Sequence, residues 1–160
     1  MPGPLVWVPE HLLAVLQQEA DRCYPLETGG LLVGYRVGKE WVVQDVVGPG
    51  PAARHRRKSF DPDHVWHAAE LRARFQRSGG RQLFIGDWHT HPDGCLALSR
   101  RDLRALRRII RSAGAQTPEP LSALLAGDPA EWNFAVWRAQ LDTEGWLRRV
   151  TVEQAQLRQL

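Results

Sequence analysis

Residues 83–112, LFIGDWHTHPDGCLALSRRDLRALRRIIRS, decide the fold. An apolar run comes first, a polar segment follows, and a pattern with helical spacing closes the stretch. Ser99, followed three residues later by Asp102, has the signature of a capping box, which marks the start of a helix. The apolar residues on one face of that predicted helix are Leu103, Leu106, Ile109 and Ile110. The stretch therefore predicts a strand that leads through a polar loop into a helix.

The segments before this stretch predict a strand, a helix and a hairpin. LVWV at residues 5–8 fits a short strand, and Pro9 fits the first turn of a helix that ends near Cys23. The apolar runs LLVGY and WVVQDVV are separated by a short turn sequence, which is typical of a β-hairpin. The next segment, GPGPAARHRRKSF, lacks apolar periodicity and predicts a loop or an excursion at the sheet edge.

A second helix and three more strands complete the predicted elements. Asp61 and Pro62 fit the N-cap and first position of a helix that ends at Ser78. Near the carboxyl end, LSALLAG, FAVWRAQL and WLRRVTV each resemble a strand. Strands mixed with three helices and short loops predict an α/β (α+β) fold, a sheet covered by helices, with residues 1–160 as one domain.

Composition and charge exclude several classes of protein. The chain has 160 residues and a formal net charge of +3, a small surplus for a nucleic-acid-binding protein. Its basic residues are also not grouped with stacking aromatics in the sequence, so we expect no direct nucleic-acid partner. Two cysteines are too few for a disulfide framework or a Cys-rich zinc site. Without an apolar run of about 20 residues, we expect no membrane partner and a cytoplasmic protein.

The polar segment contains a candidate metal site. His89 and His91 lie two residues apart at the end of the predicted strand, so their side chains point to the same face. Asp102, in the first turn of the next helix, can bring a carboxylate to the same point. Two His and one carboxylate are the three protein ligands typical of a catalytic zinc, which keeps its fourth position for water.

Each of these residues also has a structural explanation. Ser99 and Asp102 together can be a capping box, and His89 and His91 can be polar residues at a strand end. The complete spacing of His, His, Ser and Asp, however, arises by chance in on the order of one in a few thousand such chains. The combination therefore favours a metal site, and the cap and the ligand interpretations are compatible.

Hydrolysis at a zinc site needs a proton acceptor, for which Glu27 is the candidate. It lies directly before a predicted strand, and the glycines at positions 29 and 30 permit close approach of neighbouring backbone. A single Glu before a strand is more often a solvated turn residue, so this assignment depends on the rest of the pattern.

The segments ETGGLLVG and WHTHP, with Ser99 and Asp102 at their spacing, resemble the JAMM motif of the JAB1/MPN/Mov34 metalloprotease family over residues 10–140. The resemblance implies a cytidine-deaminase-like mixed sheet flanked by helices, as in a JAB/MPN domain. It also implies an isopeptidase or peptidase that acts after the C-terminal glycine of a ubiquitin-like protein. His89, His91 and Asp102 would be ligands of one Zn²⁺. Glu27 would be the general base, and Ser99 would donate a hydrogen bond to the oxyanion.

A narrower resemblance concerns GPGPAARHRRKSFDPDH and GDWHTHP, which are similar to stand-alone bacterial JAB-domain peptidases of antiphage operons. Those of CBASS systems release a cyclic-nucleotide synthase from its conjugate. Leu98 stands where a proline commonly precedes the serine, which leaves the subfamily open. Two alternatives also stay open, a peptidase that processes sulfur carriers or hydrolyses carrier–cysteine adducts, and a scaffold without catalysis in a defence or DNA-processing complex.

Four further features of the sequence lead to expectations about residues outside the predicted site. One interpretation of Asp87 is that it orients a ligand imidazole, which strand alternation alone does not decide. Cys95 is expected to be a small buried or loop thiol and no zinc ligand, because a thiolate would close the open position. Arg54 to Lys58 is expected to be a solvated loop or a border of the substrate groove. The histidines without ligand spacing are expected at the surface or on a helix face: His11, His55, His64 and His67.

Overall fold

The computed structural model describes residues 2–112, 116–142 and 144–160. Along the chain the elements are β1 (Leu5–Val8), α1 (Glu10–Cys23), β2 (Gly29–Val37), β3 (Glu40–Val47), β4 (Arg54–Arg56), β5 (Ser59–Asp61), α2 (His64–Arg77), β6 (Leu83–Pro92), α3 (Arg100–Arg111), β7 (Leu121–Asp128), β8 (Glu131–Leu141), β9 (Val150–Gln154) and β10 (Gln156–Gln159). The predicted strand, loop and helix of residues 83–112 are therefore β6, its following loop and α3.

Eight strands form one mixed sheet in the order β10-β1-β3-β2-β6-β7-β8-β9, while β4 and β5 form a separate hairpin. The predicted hairpin of β2 and β3 is antiparallel, whereas β6 and β7 run parallel. β9 and β10 lie at opposite edges of the sheet although only Ala155 separates them. Since adjacent segments of chain reach both edges, the sheet must curl until its edges come close together.

The core lies between the curled sheet and α1. Residues at helical spacing on α1 are buried against sheet residues such as Val6 and Trp41. These helical positions are Leu12, Leu16 and Ala20. By contrast, Leu106 is the buried residue of α3, and most other positions of that helix are exposed or half-buried. A thinly packed α3 leaves room for a cavity between this helix and the sheet.

The start of α2 differs from the sequence prediction. Asp63, two residues after Asp61, is the N-cap, and its carboxylate accepts a hydrogen bond from the backbone N–H of Trp66 at 3.1 Å. Asp61 cannot cap the helix because it pairs with Arg54 in the β4–β5 hairpin. The segment predicted as a loop therefore contains a short hairpin that ends directly before α2.

The carboxyl-terminal segment also differs from the prediction. The strand expected from Trp146 onward begins at Val150, and β10 was not expected at all. β10 pairs in parallel with β1 at the far edge of the sheet, which local sequence patterns do not reveal. Within the described residues, no helix is long and apolar enough to cross a membrane.

Candidate metal centre

β6 presents two imidazoles on one face of the sheet. His89 and His91 alternate with Trp88 and Thr90, which are buried on the opposite face. The Nε2 atoms of the two imidazoles lie 3.2 Å apart. Strand alternation therefore brings both nitrogens to one point, as the two-residue spacing predicts.

α3 brings a carboxylate to the same point. Asp102 Oδ1 lies 3.1 Å from His89 Nε2, and Asp102 Oδ2 lies 3.3 Å from His91 Nε2. The capping box fixes this geometry, because Ser99 Oγ accepts from the Asp102 N–H at 3.2 Å and Asp102 Oδ2 accepts from the Ser99 N–H at 2.6 Å. The same carboxylate thus begins the helix and faces both imidazoles.

The three side chains fit a zinc ion. One ligand atom from each of His89, His91 and Asp102 can be chosen so that all lie within 4.8 Å of one another. In a tetrahedral site with bonds of about 2.0–2.1 Å, neighbouring ligand atoms are about 3.3 Å apart. The two imidazole nitrogens lie 3.2 Å apart, and each has one Asp102 oxygen within 3.3 Å, close to that spacing. Two imidazole nitrogens and a carboxylate are also a donor set that zinc prefers.

A hydrogen bond fixes the tautomer of His91. Its Nδ1 lies 3.3 Å from the carbonyl oxygen of Cys95, which can only accept. The Nδ1–H therefore donates, and in the neutral ring Nε2 keeps its lone pair for a metal ion. The Cys95 thiol itself belongs to an exposed loop, as expected for a cysteine that is not a ligand.

Without a metal ion, Asp102 and His91 each favour the charged form of the other. Burial raises the pKa of the Asp102 carboxyl, but hydrogen bonds from the two imidazoles outweigh it and hold that pKa well below its usual range. Burial lowers the pKa of His91, and the Asp102 carboxylate more than offsets this effect, so the pKa is raised. The carboxylate is therefore ionised at neutral pH and available as a ligand.

Glu27 lies beside the ligands. Gly29 pairs with His89 in the antiparallel β2–β6 ladder, and Thr90 N–H donates to Thr28 O at 2.9 Å. Continuing this register places Glu27 opposite His91. The Glu27 side chain lines the same cavity as His89 and Asp102 and is half-buried. Burial raises the pKa of its carboxyl, which suits a group that must take up and release a proton.

The β4–β5 hairpin holds the backbone of Glu27. Its N–H donates to Arg56 O at 2.8 Å, and its carbonyl accepts from His55 Nδ1 at 2.9 Å. Phe60, on the second strand of the hairpin, packs against the His55 ring at a centroid distance of 5.4 Å. His55 is therefore not a simple surface residue, and the basic segment is more than a solvated loop.

Two glycines allow β2 to lie close to its neighbouring strands beside Glu27. A Cβ at Gly29 would lie 2.5 Å from the carbonyl oxygen of Trp88, and a Cβ at Gly30 would overlap the carbonyl of Val47. Trp88 Nε1 donates to that Val47 carbonyl at 3.0 Å. The close backbone approach predicted for the two glycines is thus observed beside Glu27.

Ser99 combines two possible roles at the start of α3. Its Oγ accepts the hydrogen bond of the cap, which leaves the hydroxyl proton free to be donated elsewhere. The residue is exposed and lies three positions from Asp102. Its predicted role as donor to an oxyanion remains a prediction.

A cavity of about 530 Å³ extends from the metal centre between α2, α3 and the sheet. Asp87 and Ser122 line it, and the Asp87 carboxylate accepts a hydrogen bond from Ser122 Oγ at 3.0 Å. Among the described residues, no hydrogen bond joins Asp87 to an imidazole, contrary to the idea that it orients a ligand. The Trp88 side chain is buried in the core on the opposite face of β6, so it packs rather than walls the site.

Several supporting residues could not be found by sequence reasoning. Thr28 and Thr90 join β2 to β6 beside the ligands, with Thr28 N–H donating to Thr90 Oγ1 at 3.0 Å. His67 is buried on α2, where its Nε2 donates to Gly48 O at 2.7 Å. No spacing in the sequence connects these partners, because each pair joins separate elements.

A cluster of two histidines and one aspartate, with a further carboxyl group beside it, fits the class of metal-dependent hydrolases. Residues 9–143 match the family described as prokaryotic homologs of the JAB domain. The match spans most of the chain, which therefore belongs to this family. The JAB-type family and fold predicted from the sequence are confirmed.

Individual relatives agree with this assignment. A probable metalloprotease of Sinorhizobium fredii is 39% identical over 139 residues, which cover 86% of this chain and 85% of that protein. A CD-NTase/cGAS isopeptidase of Vibrio cholerae is 34% identical over 106 residues, covering 66% of this chain and 65% of that protein. These names agree with the predicted JAMM-type metalloenzyme.

A solved structure supports the fold. The solution structure of a protein from Desulfitobacterium hafniense superposes with a TM-score of 0.68 at 18% sequence identity. The superposition covers 98% of this chain and 94% of the other. The likeness therefore extends over the curled mixed sheet and its helices.

Proposed function

We propose that the protein is a zinc-dependent isopeptidase. It hydrolyses the bond after the C-terminal glycine of a ubiquitin-like protein, or the bond that joins a CBASS-type nucleotidyltransferase to its target. One observation carries the proposal: His89, His91 and Asp102 offer ligand atoms within 4.8 Å of one another. Glu27 lines the cavity that His89 and Asp102 also line.

His89, His91 and Asp102 would hold the zinc ion, which when bound supplies Lewis-acid polarisation and lowers the pKa of an attacking water toward about 7. The Glu27 carboxylate accepts a proton from that water as the water attacks the scissile carbonyl. The protonated Glu27 then delivers the proton to the leaving amine. Its raised pKa brings the carboxyl closer to the range in which both transfers are efficient.

Ser99 stabilises the charge that develops on the carbonyl oxygen. Its hydroxyl proton is not needed for the helix cap, because the cap uses only the oxygen as an acceptor. A donor aimed at a developing oxyanion typically contributes about a hundredfold or more in rate. The capping box keeps this donor within one helical turn of the ligand Asp102.

The names of the relatives support the proposed substrate class. Several, from Vibrio cholerae, Escherichia coli and other bacteria, carry the name CD-NTase/cGAS isopeptidase. An isopeptide bond between a C-terminal glycine and a lysine presents a narrow tail, which suits a metal centre whose candidate ligands are half-buried beside a cavity. We place the enzyme in the cytoplasm, where such conjugates are made and where antiphage defence acts.

The test compares substrates with and without a chelator. The protein is incubated with a modifier–lysine conjugate, with a nucleotidyltransferase conjugate and with a sulfur-carrier precursor, and mass spectrometry identifies the products. Cleavage of a conjugate directly after glycine, lost with chelator and restored by zinc, is expected. Cleavage of the carrier precursor alone would instead assign carrier processing. A zinc-loaded protein that cleaves none of the three would indicate a scaffold.

A further inference from the structure

The positive charge of the chain is concentrated on one helix. Six of the twelve residues of α3 are arginines and one is acidic, so this helix alone carries +5, whereas the whole chain carries +3. Four of the arginines follow the spacing i, i+4, i+7 and i+11, which places them on one helical face. These exposed residues are Arg100, Arg104, Arg107 and Arg111.

The segment before β9 adds an aromatic residue and two more arginines to this face. Arg107, Arg111, Arg148 and Arg149 line a groove of about 670 Å³ together with Trp146. None of the described residues that line the groove is acidic. Trp146 is 95% exposed, so both faces of its indole ring are accessible.

Hydrogen bonds to two backbone carbonyls hold this groove together. Arg111 Nη2 donates to the carbonyl of Arg148 at 3.2 Å and ties the segment to α3. The Asp142 N–H donates to the carbonyl of Arg149 at 2.7 Å and ties it to the end of β8. In the sequence Trp146 lies 35 residues beyond Arg111. The expectation of no nucleic-acid partner depended on the small net charge and on the separation of aromatic from basic residues in the sequence, whereas the fold brings Trp146 and Arg111 to one groove.

The groove is distinct from the metal centre. Arg101, Ala105 and Arg108 of α3 line the cavity at the ligands, whereas Arg107 and Arg111 line the groove. The two sets lie on different faces of the same helix. A ligand in the groove would therefore not occupy the cavity of the metal centre.

We propose that this groove, defined by Arg107, Arg111, Arg148, Arg149 and Trp146, binds single-stranded nucleic acid. Guanidinium groups pair with phosphates in bidentate geometry, and an exposed indole stacks on a base of any sequence. A basic groove with an accessible aromatic ring is the usual arrangement for binding single strands without sequence preference.

Two other anionic partners fit the groove less well. An anionic membrane surface could contact the arginines and the exposed Trp146 and Leu147, but it is flat, whereas these arginines line a concave groove. An acidic protein surface would pair with the arginines but would not need both faces of Trp146 to be open. Single-stranded nucleic acid uses the arginines, the concave shape and the indole together.

The test is fluorescence anisotropy with a labelled oligothymidine at several salt concentrations. With four phosphate contacts, the logarithm of the association constant should fall with the logarithm of salt with a slope of about −3. The double substitution Arg107→Gln and Arg111→Gln should reduce that slope by about half and weaken binding. Trp146→Ala should weaken binding at least about fivefold and remove most of the tryptophan quenching caused by the bases.

The matched control is Arg72→Gln with Arg77→Gln, two exposed arginines of α2 that change the net charge equally. This variant should bind as the original protein does. The proposal is overturned if the control loses as much affinity as the groove variant, or if no oligothymidine binds at low salt. Preferential binding of polyglutamate or of vesicles containing phosphatidylserine would also overturn it. Because Arg107, Arg111 and Trp146 lie outside the metal centre, conjugate cleavage should stay unchanged in the variants.

Discussion

The candidate metal ligands and the proposed base are held in place by different parts of the fold. His89, His91 and Asp102 come from one strand, one loop and the next helix, and their geometry depends on strand alternation and a local capping box. Glu27 lies in the connection between α1 and β2, and its backbone is held by the β4–β5 hairpin. Metal binding and proton transfer should therefore be separable by substitution.

The largest effect is expected from His89→Ala, which removes a ligand. The protein should lose its zinc and all measurable cleavage, because two protein ligands rarely hold a catalytic zinc. Metal content by mass spectrometry after gel filtration checks this. His11→Ala, at an exposed position of α1, is the matched control and should keep both. Retention of stoichiometric zinc by the His89 variant would contradict the assigned ligand set.

Glu27→Gln should separate the two functions. The side chain keeps its size but cannot accept a proton, so kcat should fall about 10²- to 10⁴-fold while zinc content stays at one per chain. Steady-state kinetics on a glycine–lysine conjugate, with metal analysis of the same sample, measure both quantities. If cleavage continues at the original rate, Glu27 is not the base.

Substitutions of Ser99 test whether the cap and the oxyanion donor are separate roles. Ser99→Ala should lower kcat about 10²-fold and lower the free energy of unfolding by about 1 kcal/mol, because both roles are lost. Ser99→Asp keeps an acceptor for the cap but has no proton to donate when ionised. It should restore stability without restoring cleavage. Restored cleavage in the Asp variant would count against the donor role.

His55→Ala tests how far the hairpin positions Glu27. The variant should lose about ten- to a hundredfold in kcat, because a small displacement of the base disturbs proton transfer. Its zinc content should not change, since His55 contacts only the Glu27 backbone and Phe60 among the contacts described above. His55→Asn offers an amide N–H to the same carbonyl and should recover much of the rate. Equal losses in both variants would argue against this hydrogen bond.

The smallest effect is expected in how the folding stability of the chelator-treated protein depends on pH. Asp102 has a lowered pKa, so its ionisation stabilises the fold above about pH 3.8, and this contribution is lost as pH falls below that value. Glu27 has a raised pKa, so its ionisation opposes folding, and this penalty is present at neutral pH and disappears as pH falls toward 4.5.

Urea unfolding from pH 7 to pH 3 measures these two contributions. At pH 7, Asp102→Asn should be less stable than the original protein and Glu27→Gln at least as stable. Both differences should shrink toward acid pH. If both substitutions lowered the free energy of unfolding, or both raised it, the ionisation of Asp102 and that of Glu27 would not have opposite effects on stability.

Local sequence patterns were sufficient to predict that the three candidate ligands come together and which elements carry them. The two-residue spacing of His89 and His91 and the capping box of Ser99 and Asp102 are rules of a single strand and a single helix turn. The start of α2 was predicted two residues early because Asp61 is held in a hairpin that has no strong sequence signal. Tertiary pairing there overrides a favourable local cap.

Long-range contacts explain the remaining differences between the sequence predictions and the structure. Glu27 could be proposed from the resemblance, but its support by His55 and Arg56 joins segments almost thirty residues apart. β10 pairs with β1 across nearly the whole chain, and Trp146 lines the same groove as Arg111 although β7 and β8 lie between them in the sequence. Such contacts follow from the curl of the sheet, which no local pattern encodes.

X-ray absorption at the zinc edge tests the central claim most directly. The wild-type protein, loaded with one zinc per chain, should show imidazole scattering from two histidines and only nitrogen or oxygen ligands at about 2.0–2.1 Å. This is the ligand set that His89, His91 and Asp102 would provide. A sulfur ligand at about 2.3 Å, or a chain that retains no zinc, would contradict the account.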